Sequence, residues 1–228
     1  MERKEFIKRL GMSTVILPLI GACGKDEVMQ DTDSGACATT PSETSGPFPT
    51  KDPTSLVMMD IKSDRTGVDL TVNITVQNKN NNCEPLPGAM VDVWHCDKDG
   101  YYSEYGGTGM QSANFSAYHF LRGRQSTDSN GLAAFASIFP GWYPGRAPHI
   151  HVHIFDSAGK SLLVTQIAFP TEVCDTVYTT ASQYARGKQD TSNAGDNVFS
   201  NSLQNELAAV AGNISDGYVL THTIVVNA

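Results

Sequence analysis

The run Leu70-Thr71-Val72-Asn73-Ile74-Thr75-Val76 alternates apolar and polar side chains without a break. Successive side chains of an extended chain point to opposite faces. The run therefore predicts a strand with one face in a core and the other toward water. Working outward, Ala89, Val91 and Val93 repeat the pattern just before Trp94. Further strands are expected over 132–136, 149–155, 162–169 and 218–226. Turn chemistry separates them at 78–82, at Asp97-Lys98-Asp99-Gly100, at Asp128-Ser129-Asn130-Gly131 and at 156–159. Short strands joined by Gly and Asn turns predict an all-β chain, a β-sandwich core with long loops. One short C-terminal helix is expected over 202–211. There is no internal repeat and no sign of a second core, so 37–228 reads as a single domain.

The 228 residues are 40% hydrophobic and 18% charged, with a formal net charge of -8. That apolar share excludes a disordered chain. The acidic balance argues against a nucleic-acid partner, which needs a basic face. No apolar run reaches the ~18–20 residues that span a bilayer.

Residues 1–22 read as an export signal. Arg3, Lys4, Lys8 and Arg9 make a positive start, and an apolar stretch follows to Ala22. It ends Leu19-Ile20-Gly21-Ala22-Cys23, which resembles a bacterial lipobox and implies cleavage before Cys23 and lipidation of its thiol. An ordinary signal peptide cleaved nearby is the alternative. Arg3-Lys4-Glu5-Phe6-Ile7-Lys8 also resembles a twin-arginine signal with one Lys substituted. Removing this segment takes four basic and two acidic residues from the 16 and 24 of the whole chain, leaving a net charge of -10. Residues 23–36 are polar and read as a flexible tether. The expected location is the bacterial cell envelope, with membrane attachment through Cys23. Cys37, Cys83, Cys96 and Cys174 then remain; an even count in an exported protein predicts two disulfides, in any of three pairings.

The chemistry gathers in two patches. The first is Pro140-Gly141-Trp142-Tyr143-Pro144-Gly145-Arg146-Ala147-Pro148-His149-Ile150-His151-Val152-His153-Ile154, which holds three of the six histidines. On a strand, 149, 151 and 153 share a face, and neighbours on that face stand ~7 Å apart at the backbone. Two such rings can lean onto one metal ion; the bland alternative is a polar sheet face. Imidazole suits zinc, copper, iron and nickel, and His153 could complete a three-histidine zinc site. Tyr143 offers a harder, anionic ligand suited to ferric iron. The second patch is Pro87-Gly88-Ala89-Met90-Val91-Asp92-Val93-Trp94-His95-Cys96-Asp97-Lys98-Asp99-Gly100-Tyr101-Tyr102-Ser103. There a strand enters a tight acidic turn that releases two tyrosines.

Together the patches resemble the intradiol ring-cleavage dioxygenases, non-heme ferric enzymes that open catechols between their hydroxyls. The segment ending at Ser103 resembles the family's first-tyrosine segment. FLRGRQSTDSNGLAAFASIFPGWYPGRAPHIHVHIF, beginning at Phe120, resembles the stretch with its second tyrosine, arginine and histidine pair. SETSGPF, ending at Phe48, resembles the segment that borders the substrate pocket, and LLVTQIAF, ending at Phe169, the strand after the histidines. The resemblance implies a mononuclear non-heme Fe(III) held by Tyr102, Tyr143, His149 and His151. It implies Tyr143, Arg146 and Gln166 as catalytic residues, with Tyr143 the ligand that substrate displaces. Tyr102 is preferred to Tyr101 because the family's ligand is the second residue after the glycine. His153 falls outside the ligand pair, and His95 is expected to pack beside Trp94. His119 and His222 belong to no motif.

The implied partners are a small aromatic diol and O2, and the implied product a muconate-type diacid. Two tyrosinates and a hydroxide balance a trivalent ion, so a buried site carries no uncompensated charge. Only Pro144 and Gly145 separate Tyr143 from Arg146, shorter than in the cytosolic protocatechuate enzymes, which implies a more open pocket. Two rivals remain: an exported module that binds a metal or an aromatic without turnover, and a zinc or copper site on His149, His151 and His153.

Overall fold

The computed structural model describes residues 37–107 and 109–228. The expected export signal over 1–22 and tether over 23–36 lie outside the described residues. β1 (Asp69–Asn78) buries Leu70, Val72, Ile74 and Val76, as the alternation predicts. One edge of β1 pairs in parallel with β9 (Gly217–Val226). β2 (Glu84–Pro85) and β5 (Leu132–Ile138) pair antiparallel with β1. β8 (Ala209–Asn213) pairs with β9 and completes this five-stranded sheet. The second sheet is antiparallel, in the order β4 (Arg122–Ser126), β3 (Met90–Trp94), β6 (His149–Phe155), β7 (Ser161–Ala168).

Val91 and Val93 of β3, Ile150, Val152 and Ile154 of β6 and Ile167 of β7 cluster with the β1 aliphatics, Phe135, Leu220 and Ile224 in one core between the sheets. Each such side chain contributes about 1.5–3 kcal/mol when fully buried. The alternate residues of the second sheet then face outward. Trp94, His151 and Gln166 stand side by side in register across β3, β6 and β7, which gives that outer face a row of aromatic and polar groups. The four predicted turns form: Gly100, Gly131 and Gly159 each donate a backbone bond to the aspartate three residues earlier, and Asn78 caps the turn at Lys79–Asn81.

Two expectations are corrected. The helix lies at α1 (Thr171–Thr180), buried through Cys174, Val177 and Tyr178, and not over 202–211. There Leu203–Asn205 makes a single 3-10 turn; the Ala168 N–H at the end of β7 then donates to the Glu206 carbonyl, the Ala208 N–H donates to the Ala168 carbonyl, and β8 joins β9. Strand pairing overrides the local helical preference. Among the described residues there is one disulfide, Cys37–Cys83, where two were expected. Cys96 and Cys174 are free and buried, the first against Phe48, Trp94 and Tyr102, the second in the main core. Among the described residues no helix is long and apolar enough to cross a membrane.

Candidate metal centre

His149 and His151 lie two residues apart on β6, so their rings emerge on the same outer face. Their Nε2 atoms approach to 3.1 Å. His149 Nδ1 donates to the Ala147 carbonyl at 2.6 Å, which leaves its Nε2 as the lone pair turned into the site. His151 is held by Trp94, stacked on its ring at a 4.9 Å centroid distance, while its Nδ1 is buried without a partner.

The tyrosines arrive on loops. Asp97 Oδ1 accepts from the backbone of Asp99 and Tyr101 and shapes the turn that leads to Tyr102. Gln111 then clamps Tyr102 at both backbone groups, accepting from its N–H at 2.7 Å and donating to its carbonyl at 2.8 Å. The Tyr102 hydroxyl lies 3.3 Å from His149 Nε2. Tyr101, half-buried, packs against Phe115 instead. Tyr143 begins the turn Tyr143-Pro144-Gly145-Arg146, closed by the Arg146 N–H on the Tyr143 carbonyl. Pro at the second position and Gly145 at φ +83° are what a type II turn requires. The Tyr143 ring sits edge-on to both Tyr102 and His149, with centroids 5.8 and 5.7 Å away. The two phenols and two imidazoles named from the sequence are thus brought together.

Arg146 and Gln166 join them. Arg146 Nη2 donates to Gln166 Oε1 at 2.6 Å, and Gln166 Nε2 donates to the Thr44 carbonyl. The N-terminal segment also delivers Phe48, stacked on Tyr102 at 4.9 Å. His153 is not part of the cluster; its Nε2 bonds Ser161 Oγ and its ring stacks on Phe155. A three-histidine site is therefore not assembled. His95 is buried between the Cys96 carbonyl and Ser137 Oγ, and His119 pairs with Glu104. Among the described residues no group of three or more His, Cys, Asp or Glu side chains could hold a metal. Four converging side chains with donor atoms appear only when the phenols are counted.

Burial pushes the Tyr102 phenol far above its ordinary value and raises Tyr143, while the Arg146 guanidinium pulls Tyr143 back. Burial also lowers His149 to about 3 and His151 well below its ordinary value. The imidazoles are therefore neutral, as metal ligation needs. Phenolates here need a compensating cation. Two facing Nε2 atoms, a phenol oxygen beside them and a second phenol at the rim suit a hard trivalent ion with mixed nitrogen and oxygen ligands. The residues present fit ferric iron.

Three supporting residues escaped the sequence reading. Arg122 is buried and braces the Tyr102 loop, donating to Ser103 Oγ, the Ser103 carbonyl and the Phe48 carbonyl. Asp196 pairs with Arg146. Gly46 packs directly on the His151 ring. Gly46 and Arg122 lay inside quoted motifs but carried no role there; Asp196 belongs to a polar stretch with no periodicity.

The dioxygenase family matches residues 46–207. Catechol 1,2-dioxygenase of Acinetobacter baylyi is 33% identical over 126 residues, 48% of this chain and 38% of that protein. The protocatechuate 3,4-dioxygenase beta chain of Burkholderia cepacia is 33% identical over 94 residues, 38% of this chain and 39% of the relative. The chain spans under two-fifths of the length of the curated relatives it matches. Among solved structures, an intradiol ring-cleavage dioxygenase from Tetranychus urticae superposes with a TM-score of 0.72 at 27% identity, covering 84% of this chain and 95% of that one. The chain belongs to the intradiol ring-cleavage dioxygenase family.

Proposed function

We propose that the protein is a non-heme Fe(III) intradiol dioxygenase that cleaves a catechol-type ring with O2 to a muconate-type diacid. The observation that carries this reading is the placement of His149 Nε2 at 3.1 Å from His151 Nε2 and 3.3 Å from the Tyr102 hydroxyl, with Tyr143 at their edge. Tyr102, Tyr143, His149 and His151 would hold the iron. When bound, a ferric ion would supply Lewis acidity and a template for the diol and O2.

The protein's own groups divide the remaining work. Tyr102, His149 and His151 are buried and held by Gln111, the Ala147 carbonyl and the Trp94 ring respectively, and would keep their positions. Tyr143 is half-buried at the rim; as a phenolate, its oxygen would take up one catechol proton as the diol enters. Arg146, beside Tyr143 and Gln166, would stabilise negative charge on the bound diol, as oxyanion donors do. Phe48, Trp94 and Tyr105 pack around Tyr102 and keep water from the buried side. A groove of about 590 Å³, lined in part by Tyr101, Gln111, Tyr143, Pro144 and Arg186, opens beside Tyr143. The short Tyr143-to-Arg146 connection leaves it uncovered, which suits substituted catechols.

The test is iron analysis, visible spectroscopy and oxygen uptake across a panel of substituted catechols. The expected protein is burgundy, holds one iron per chain and consumes O2. Tyr102→Phe is expected to abolish or shift the colour. Iron-replete but colourless protein, or no uptake across the panel, overturns the proposal.

We also propose that the protein is exported and lipid-anchored at Cys23. The run Leu19-Ile20-Gly21-Ala22-Cys23 supports this, and so does the Cys37–Cys83 bond, because such bonds persist in oxidising compartments. Expression with labelled palmitate is expected to mark the wild type and not Cys23→Ser; equal labelling sinks the idea.

A further inference from the structure

Asp196 sits 50 residues from Arg146 in sequence and is fully buried. Its carboxylate is saturated. Arg146 Nε donates to both oxygens, at 3.1 and 2.8 Å. The Ala147 N–H donates to Oδ2 at 2.7 Å and the Val198 N–H to Oδ1 at 2.9 Å. Ala147 in turn offers its carbonyl to His149 Nδ1 at 2.6 Å. One carboxylate therefore reaches the guanidinium directly and an imidazole of the metal centre through a single residue, Ala147.

Neither link is a general scaffold contact. An arginine side chain is long and free to rotate unless its planar fork is matched by a carboxylate. With Nε fixed on Asp196, Nη2 is aimed at Gln166 and the guanidinium faces Tyr143. The Ala147 N–H bond fixes the residue whose carbonyl, one peptide further on, sets the His149 tautomer, the outer-shell arrangement that orients metal-bound imidazoles. The charge logic agrees. A bare arginine beside a trivalent cation site would repel the ion, and Asp196 cancels that charge while leaving the Nη groups directed inward.

We propose that Asp196 is the positioning residue of this site, orienting Arg146 toward Tyr143 and holding the His149 ring in its metal-binding plane. The proposal rests on the ring-cleavage reading given above.

Asp196→Asn keeps the size but turns one acceptor into a donor, so it cannot satisfy Ala147, Val198 and Arg146 together. In the full-length protein, chelator competition is expected to show ferric affinity at least tenfold weaker, with a shifted visible band. The kcat for catechol oxygen uptake is expected to fall at least tenfold, with KM within threefold. Combined with Arg146→Ala, Asp196→Asn should lower kcat by less than twofold beyond Arg146→Ala alone, yet still weaken iron binding. Arg146→Lys keeps the charge without the fork; it is expected to lose kcat to the same degree while binding iron normally, since Asp196 still holds Ala147. That variant carries the test if Asp196→Asn does not fold, and wild-type kcat in Arg146→Lys overturns the proposal. So does unchanged affinity and kcat in Asp196→Asn, or fully additive losses in the double variant. A wild type that binds iron and turns over beside an indistinguishable Asp196→Asn removes this assignment alone. A wild type that takes up no iron removes both readings.

Discussion

Gly46 shows how tightly the metal-binding rings are seated. Its backbone has φ +67°, and a Cβ there would lie 2.9 Å from His151 Cε1. Alanine would meet a strained backbone, costing about 1–2 kcal/mol, and would push on a ring that Trp94 prevents from retreating. Gly46→Ala is expected to fold but to bind ferric iron at least tenfold more weakly, read by chelator competition alongside circular dichroism. Unchanged affinity would show that the ring has slack. The imidazole pair was legible in the sequence because His149 and His151 alternate on one strand, but alternation also admits His153; the choice of Tyr102 and Tyr143 as their companions came from the family resemblance. Arg122, Gln111 and Asp196 were not legible. Each acts on a partner distant in the chain, and a lone Arg, Gln or Asp in a polar stretch reads as a solvated side chain until the fold buries it.

The strands divide the same way. β1 and β6 announce themselves because one face of each is aliphatic. β4 does not, since Arg122-Gly123-Arg124-Gln125-Ser126 buries its arginines through Ser103 and the Asp92 carboxylate, not through apolar contact. α1 is disguised by β-branched Thr and Val, which favour strands. The turn after Ser202 carries a testable charge. Glu206 is raised to about 7 by burial, and by repulsion from Glu43 and Asp196, against a hydrogen bond from Ser202 that lowers it. A carboxyl raised in the folded state favours folding when protonated. Its contribution is complete below its unfolded value near 4.5 and is lost as pH rises through about 7. Glu206→Gln is therefore expected to flatten that decline, matching the wild type at pH 4.5 and unfolding at higher denaturant at pH 8. Parallel curves would mean the carboxyl ionises freely.

Across the molecule, the segment from Cys37 to Phe48 ties both sheets to the metal centre. Thr40 exchanges bonds with Val225 on β9, Glu43 donates to Val164 on β7, and Phe48 covers Tyr102. The Cys37–Cys83 bond anchors its start and closes a separation of 46 residues. In the chain-entropy account a loop of that size is worth about 4 kcal/mol. Cys37→Ser with Cys83→Ser is expected to lower unfolding stability by roughly 2–4 kcal/mol in urea titration; a loss near zero would mean the hydrogen bonds hold the segment unaided. The anchor also decides where mechanical tension goes. A pull applied upstream of residue 37 passes through sulfur into the hairpin that follows β1, at the opposite sheet from the imidazoles. Thr40 on Val225 offers a second grip on that same sheet, so tension entering before residue 37 is shared out there before it reaches Phe48 and the clustered rings.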